Sequence, residues 1–158
     1  MSAEKVVLTS VEAVHGIGVR ERVAGPPAIP GLFQDVLAGV LGSGREIVAA
    51  PIAVCHDPDI TPDSVDIEVV VPVEGPPGGP LTTPADGVLT EAAVPGGEAA
   101  VLVHAGPYDT LRESYRVLAD WVTGHGYRPA GPPQEIYLTG PDEPGPPVTE
   151  LRMPVARV

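Results

Sequence analysis

The chain has 158 residues, with 21 acidic and 9 basic side chains and a formal net charge of −12 at pH 7. A surface this acidic repels phosphate, which argues against a nucleic-acid-binding protein. Apolar residues make up 43% of the chain, which suffices for the core of one domain, but no apolar run reaches the roughly 18 residues that a membrane helix requires.

The first half of the chain predicts a strand, a helix and two further strands. Residues 6–23 predict an opening strand, interrupted near His15–Gly16. A helix is predicted over about 32–41. Its apolar residues recur at helical spacing: Phe33, Val36, Leu37 and Val40. Two strands follow over about 47–56 and 64–73, joined by a turn rich in Pro and Asp.

The second half repeats this order after a segment rich in Gly and Pro, about 74–87, which predicts a linker. Its predicted elements are strands over 88–94 and 98–104, a helix ending near 123, and strands over 135–139 and 148–158. Asp109 is the candidate N-cap of this helix. The spacing of the helix assigns Tyr115 to an apolar core stripe, together with Leu111, Leu118 and Val122.

The two halves end in similar segments. Aligning the final Pro-Val pair of each half sets Glu68 against Glu150. This repetition predicts an antiparallel-rich α+β fold made of two pseudo-symmetric βαββ repeats, with the helices on one side. Repeat one would cover about 1–73 and repeat two about 88–158, and we expect a ligand groove between them.

Glu135 is the strongest candidate site residue. Strand alternation places Glu135 and Tyr137 on one face, opposite to Ile136. In the first half, Ala53 and Cys55 occupy the matching face. The second half therefore adds a carboxylate and an aromatic ring, a pair that suits a desolvated organic cation. A solvated glutamate on an edge strand is the alternative interpretation.

Several other residues are candidates for the wall of a ligand site. Tyr108 lies at a predicted strand-to-helix corner, where its hydroxyl would either face a cleft or cap the backbone. Trp121 and Phe33 lie on the predicted helices, where core packing and a pocket wall both fit the spacing. His104 and Cys55 complete the set of candidate ligand-binding residues.

The sequence offers no signature of a metal site, a cofactor or a serine nucleophile. Metal-ligand spacing is absent among the histidines and Cys55, and no Gly-rich run matches a nucleotide fingerprint. Ser114 lies inside the predicted helix with no His at a suggestive spacing. A solvated or ion-paired face is predicted for Glu68, Glu150 and Arg152. One cysteine and an N-terminus unlike a signal peptide predict a cytoplasmic protein.

Taken in order, these segments resemble a known family. The chain contains His104-x-Gly-Pro-Tyr108, an apolar helix through Trp121, Glu135-Ile-Tyr137 and Thr149-Glu150-x-x-x-Pro154-Val155. This ordered set is similar to the GyrI-like small-molecule-binding domains, which also serve as effector-binding domains of AraC- and MerR-type transcription activators. The resemblance covers most of the chain and is stronger in the second half.

The resemblance implies a ligand groove between two βαββ repeats and a binding protein for hydrophobic, often cationic aromatic small molecules. In the family, the acidic residue of the Glu-x-Tyr strand anchors such ligands among aromatic rings. This role is implied here for Glu135, with Tyr108 and Tyr137 near the groove. Because the two repeats account for the chain, it resembles a stand-alone member rather than a DNA-binding regulator.

Two alternatives stay open at this point. Some family members hydrolyse cyclopropane-containing natural products that alkylate DNA, and in such an enzyme Glu135, Tyr108 and Tyr137 would be the catalytic residues. A protein-interaction role, such as modulation of DNA gyrase, is the second alternative. The expected partners are small molecules, without cofactor, metal, nucleic acid or membrane, and nothing in the sequence argues for an oligomer.

Overall fold

A computed structural model describes residues 5–24, 28–56, 64–75, 81–82, 88–106, 110–139 and 144–158. Ten strands and two helices lie in this part of the chain. In chain order they are β1 (Val7–Val11), β2 (Val14–Val23), α1 (Ile29–Gly42), β3 (Ile52–Cys55), β4 (Val65–Pro72), β5 (Leu81–Thr82), β6 (Val88–Val94), β7 (Gly97–Ala105), α2 (Leu111–Gly124), β8 (Tyr127–Pro129), β9 (Gln134–Tyr137) and β10 (Val148–Arg157).

The chain divides into two units that repeat one architecture. Unit 1 comprises Met1–Glu12 and Gly96–Val158, and unit 2 comprises Ala13–Pro95. In unit 1, β7 and β10 form the central pair, flanked by β1 and β9, and β8 pairs with the end of β10. In unit 2, β2 and β4 form the central pair, flanked by β6 and β3, and β5 pairs with β6.

Each unit contains one βαββ repeat, and all of these strand pairs are antiparallel. The helix packs on the central strands: α2 contacts β7 and β10, whereas α1 contacts β2 and β4. The predicted antiparallel-rich α+β class is therefore confirmed. None of the helices in the described part is long and apolar enough to cross a membrane.

Each unit has one flanking strand that comes from the other half of the sequence: β1 in unit 1 and β6 in unit 2. Only Glu12 and Ala13 separate β1 from β2, yet β1 pairs with β7, while β6 pairs with β2. The two units therefore have other boundaries than the sequence ranges 1–73 and 88–158. Those ranges were predicted for the repeats rather than for the units, and they stay a prediction. The expected linker contains β5, and its residues 76–80 and 83–87 lie outside the described part.

The opening segment is two strands rather than one, and its break is not at the predicted place. The break lies at Glu12–Ala13, whereas His15–Gly16 lies inside β2. Gly16 instead marks a close approach of two backbones, because a Cβ there would lie 2.2 Å from the carbonyl oxygen of Val71 in β4. Glycine inside a strand often marks such a close approach rather than the end of the strand, so the predicted interruption at His15–Gly16 is wrong.

Both predicted helices are present, and their apolar stripes face the cores. The stripe residues that α1 buries are Phe33, Val36 and Val40, and those that α2 buries are Leu111, Leu118 and Val122. The N-cap position of α2 is Thr110, and the predicted N-cap Asp109 lies outside the described residues.

Two strand predictions differ from the structure, and one strand was not predicted. Over the predicted 47–56, only Ile52–Cys55 forms a regular strand, and Ile47 makes an isolated bridge to Val73. The strand predicted over 135–139 ends at Tyr137. β8 went unpredicted because three residues ending in Pro129 carry no readable alternation.

We predict that Gly16→Ala lowers the free energy of unfolding by about 1–3 kcal/mol, because the added methyl group forces β2 away from β4. Urea unfolding would measure the change. Gly31→Ala is the matched control, since a Cβ there meets no atom within 4 Å and alanine favours the helix by about 0.5–1 kcal/mol. An equal effect of both substitutions would contradict the close approach.

Candidate functional site

The sequence-predicted Glu135 lies at a polar cluster with two tyrosines. The Tyr137 hydroxyl donates a hydrogen bond to Oε1 of Glu135 at 2.6 Å. The Tyr115 hydroxyl donates to Oε2 at 2.5 Å. Both carboxylate oxygens therefore accept a phenol from within unit 1, one from β9 and one from α2. We call Glu135, Tyr115 and Tyr137 the carboxylate cluster.

Strand register explains why Glu135 faces the helix. Glu135 in β9 is the register partner of Leu151 in β10, and Leu151 is the partner of Leu102 in β7. Register partners in neighbouring strands point to the same face of a sheet. Leu102 and Leu151 belong to the core cluster that also contains Leu118 of α2. Glu135 therefore lies on the same face of the sheet as Leu102 and Leu151, the face that α2 covers, and Tyr115 of α2 contacts it there.

The partners of Glu135 set it apart from other acidic side chains. Glu150 forms an ion pair with Arg152 (2.5 Å) and Asp66 with Arg20 (2.8 Å), and Oε1 of Glu68 lies at hydrogen-bond distance from Nε2 of His56 (2.9 Å). The ion pair of Glu150 with Arg152 confirms the ion-paired face predicted for these two residues. Among the described residues, no cationic side chain forms an ion pair with Glu135.

Asp66 shows what a cationic partner does to a carboxyl group. Arg20 donates two hydrogen bonds to it, from Nε to Oδ1 and from Nη2 to Oδ2. The hydrogen bond from Arg20 is the main reason that the pKa of Asp66 lies below its ordinary value, and the charges of Arg20, His56 and Arg22 add to it against a desolvation penalty. Glu135 receives hydrogen bonds of comparable number, but from neutral groups.

The two phenol hydroxyls of the carboxylate cluster are donors that suit an ionised carboxyl group, which only accepts hydrogen bonds. Hydrogen bonds from a hydroxyl to a carboxylate are about 2.5–2.7 Å long, shorter than those between neutral groups. Both phenol contacts of Glu135 fall in this range. A carboxylate offers about four acceptor positions, so two phenols leave others for a ligand. The cluster holds a negative charge in place without neutralising it.

The sequence missed Tyr115, which it assigned to the core. The ring of Tyr115 does pack against the core cluster of unit 1 and is partly buried, but its hydroxyl reaches Glu135. A tyrosine within an otherwise aliphatic stripe was the available signal, because a buried phenol requires a hydrogen-bond partner. The partner lies 20 residues away, beyond the reach of helical spacing.

His104 is a buried polar junction between β7 and α2. Its Nδ1 lies 2.7 Å from Oγ of Ser114, and its Nε2 lies 3.0 Å from Oγ1 of Thr110. Sequence spacing gave no sign of this contact between His104 and Ser114, which forms because β7 and α2 run back against each other. Ser114 is buried with 0% exposure, so the contact is not presented to an open surface.

The remaining candidate residues lie apart from the carboxylate cluster or outside the described part. Trp121 stacks with His125 and Tyr127, with ring centroids 4.1 and 6.1 Å apart, and packs against the core of unit 1. Phe33 and Cys55 are buried in unit 2. Tyr108 falls outside the described residues. The ligand-binding roles assigned to all of these residues stay predictions.

Comparison with known proteins identifies both family and fold. The model of a family described as GyrI-like small molecule binding domain matches residues 4–156. The C-terminal domain of EcmrR superposes with a TM-score of 0.86 at 22% identity, covering 99% of this chain and 100% of that domain. In the EcmrR–DNA complex, this chain spans 58% of the EcmrR chain, at 23% identity. No curated protein sequence matches the chain significantly.

Two further structures share the fold at lower similarity. A hydrolase from Listeria innocua has a TM-score of 0.63 at 14% identity, with 96% of this chain and 92% of that chain covered. SAV2435 bound to tetraphenylphosphonium has the same TM-score and identity, with 96% and 94% covered. At these identities the likeness concerns the fold alone.

We predict that Tyr115→Phe and Tyr137→Phe each lower the free energy of unfolding by about 1.5 kcal/mol. This is the lower end of the range for a hydrogen bond to a charged group, which is appropriate because the carboxylate is partly exposed. Chemical unfolding would measure it. Tyr127→Phe is the control, since no hydrogen bond of its hydroxyl is found among the described residues. A similar loss in the control would contradict the cluster.

Proposed function

The chain belongs to the family of GyrI-like small molecule binding domains, and we propose that it binds hydrophobic, often cationic aromatic small molecules with Glu135 as the anionic anchor. The observation that carries this proposal is the carboxylate cluster. Its glutamate accepts two phenol hydrogen bonds and has no cationic partner in the part of the chain that the structure describes.

The electrostatics of the cluster favour a cation over an anion or a neutral molecule. A charged group out of bulk water is costly unless it is paired. The phenols of Tyr115 and Tyr137 reduce this cost by hydrogen bonding, but they leave the negative charge uncompensated. A ligand cation supplies the missing countercharge, and each aromatic face within reach adds about 0.5–2 kcal/mol of cation–π attraction. The overall charge of −12 also attracts cations to the protein.

The composition of the chain limits how aromatic such a site can be. The chain has only six aromatic side chains of the Phe, Trp and Tyr types, and two of them bind Glu135. Apolar contact with a ligand must therefore come largely from aliphatic side chains. Burial of apolar ligand area contributes about 25 cal/mol per Å² whether the wall is aliphatic or aromatic, so hydrophobic ligands remain suitable.

The comparisons support this proposal at the level of the fold. SAV2435, with the same fold, has been captured with tetraphenylphosphonium, which is an aromatic, permanently charged cation without hydrogen-bond donors. A ligand of this kind can interact with a carboxylate only through charge and apolar contact. The carboxylate cluster of this chain provides the charge for such an interaction.

Hydrolysis of a strained cyclopropane is a second candidate function. It is favoured by the contact of Glu135 with a phenol on each oxygen, which places a base and a proton donor side by side. Glu135 would take a proton from water as the water oxygen attacks a ring carbon. The ring C–C bond would break, its electron pair would pass to a conjugated carbonyl oxygen, and Tyr137 would donate a proton to that oxygen. The proton on Glu135 would then pass to the Tyr137 phenolate and restore both groups.

We predict that Glu135→Gln weakens binding of methyltriphenylphosphonium by about 10- to 100-fold, which is 1.4–2.7 kcal/mol. Binding of 1,1,1-triphenylethane, a neutral molecule of almost the same shape with no hydrogen-bonding group, should change by less than about threefold, because the two probes differ in charge but not in their apolar surface. Calorimetric titration of both probes would measure the constants.

Glu150→Gln serves as the matched control for this experiment. It removes the same charge from the same unit, but Glu150 already has Arg152 as its partner. The effect of Glu150→Gln on the binding constant of the cation should therefore be small. Equal weakening by both substitutions would assign the preference to the general field of an acidic protein, and equal loss of both probes in Glu135→Gln would leave no electrostatic role for Glu135.

We predict no protein-dependent opening of a spirocyclopropyl cyclohexadienone in ¹⁸O-labelled water, because the proposed role of the cluster is binding. Mass spectrometry would detect labelled oxygen in a ring-opened product. Turnover that is lost in both Glu135→Gln and Tyr137→Phe would instead establish the hydrolase.

A further inference from the structure

His104 connects the strand β7 to the helix that carries Tyr115. Both ring nitrogens of His104 contact hydroxyls of the helix segment, Nδ1 at Ser114 (2.7 Å) and Nε2 at Thr110 (3.0 Å). His104 is 5% exposed. A neutral imidazole has one donor and one acceptor nitrogen, and a hydroxyl can serve either, so both contacts are satisfied at once.

The two hydroxyl groups that the ring nitrogens of His104 contact both belong to the helix segment. Thr149 of β10 is the register partner of His104, so the two side chains lie on the same face. The hydroxyl of Thr149 is buried and has no hydrogen-bond partner among the described residues. The imidazole therefore commits both nitrogens to Ser114 and Thr110 although a hydroxyl stands beside it in the sheet.

Ser114 and Tyr115 are consecutive residues of α2 with contacts to different strands. Ser114 contacts His104 of β7, and Tyr115 contacts Glu135 of β9. These strands lie on opposite sides of β10. Consecutive helical residues point about 100° apart around the helix axis, so the two contacts together define the rotation of α2 and its position along the sheet.

We propose that His104 is a positioning residue for the carboxylate cluster, acting through Ser114 and Thr110 on the rotation of α2 and hence on the Tyr115 hydroxyl. Its consequence for ligand binding rests on the proposed function, but its effect on the Tyr115–Glu135 contact does not.

The test is a double-mutant cycle between Tyr115→Phe and Glu135→Gln, measured by chemical unfolding in different backgrounds. In the wild-type background, the combined change in the unfolding equilibrium constant should differ from the product of the single changes by about tenfold, as for residues in direct contact. In the His104→Ala background the two changes should multiply to within about twofold, as for independent sites.

Two controls separate positioning from general destabilisation. Val122→Ala removes packing from the same helix and the same core cluster, and the cycle should keep its tenfold coupling there. His104→Asn, whose amide can replace Nδ1 toward Ser114, should restore coupling. If His104→Ala does not fold, Ser114→Ala with Thr110→Val removes the same two contacts while keeping the imidazole. Coupling that persists in His104→Ala, or in the Ser114→Ala and Thr110→Val background where His104→Ala does not fold, would overturn the proposal.

Titration with methyltriphenylphosphonium in the same variants tests the consequence for binding. We expect His104→Ala to weaken binding of the cation at least about fivefold more than Val122→Ala does. If the wild-type protein binds no cation but coupling is lost in His104→Ala, the positioning role stands and the proposed function fails. If the wild type binds the cation and coupling persists in His104→Ala, the positioning role fails alone.

Discussion

The packing of α2 over one face of its sheet is the constraint on which the rest of unit 1 depends. Leu102 and Leu151 of the sheet form a core cluster with Leu118 of the helix. Under such a cover, a polar side chain without a partner from the protein destabilises the fold by about 1–3 kcal/mol. Glu135 finds its partners in Tyr115 and Tyr137.

The identity of the partners matters as much as their number. A buried or half-buried carboxylate that is paired with arginine has little charge left for a ligand, and Asp66 and Glu150 are of this kind. Phenols satisfy the oxygen atoms of Glu135 but bring no positive charge. The same hydrogen bonds that make the site stable therefore keep its charge available, which links the stability of the fold to the proposed function.

The repeated architecture confines this chemistry to one unit. β3 pairs with β4 in the same register as β9 pairs with β10, so that Ala53 takes the place of Glu135 and Cys55 that of Tyr137. Both residues of unit 2 are buried. At these two positions the repeat of unit 2 is apolar. The repeat of unit 1 differs from it by a carboxylate, Glu135, and a phenol, Tyr137.

The sequence by itself determined most of the helices and strands, which of their faces are buried, and the pairing of Glu135 with Tyr137 in the candidate site. Alternation and helical spacing are consequences of local backbone geometry, so they correctly placed Glu135 beside Tyr137 and predicted both buried stripes. They did not predict the close approach of two backbones at Gly16. They also did not predict that β1 pairs with β7, in the other half of the sequence. Only the tertiary structure decided that Tyr115 reaches Glu135 and that His104 contacts Ser114. These contacts depend on the rotation of α2 and on strand order, which are set by burial of the whole core rather than by any local segment.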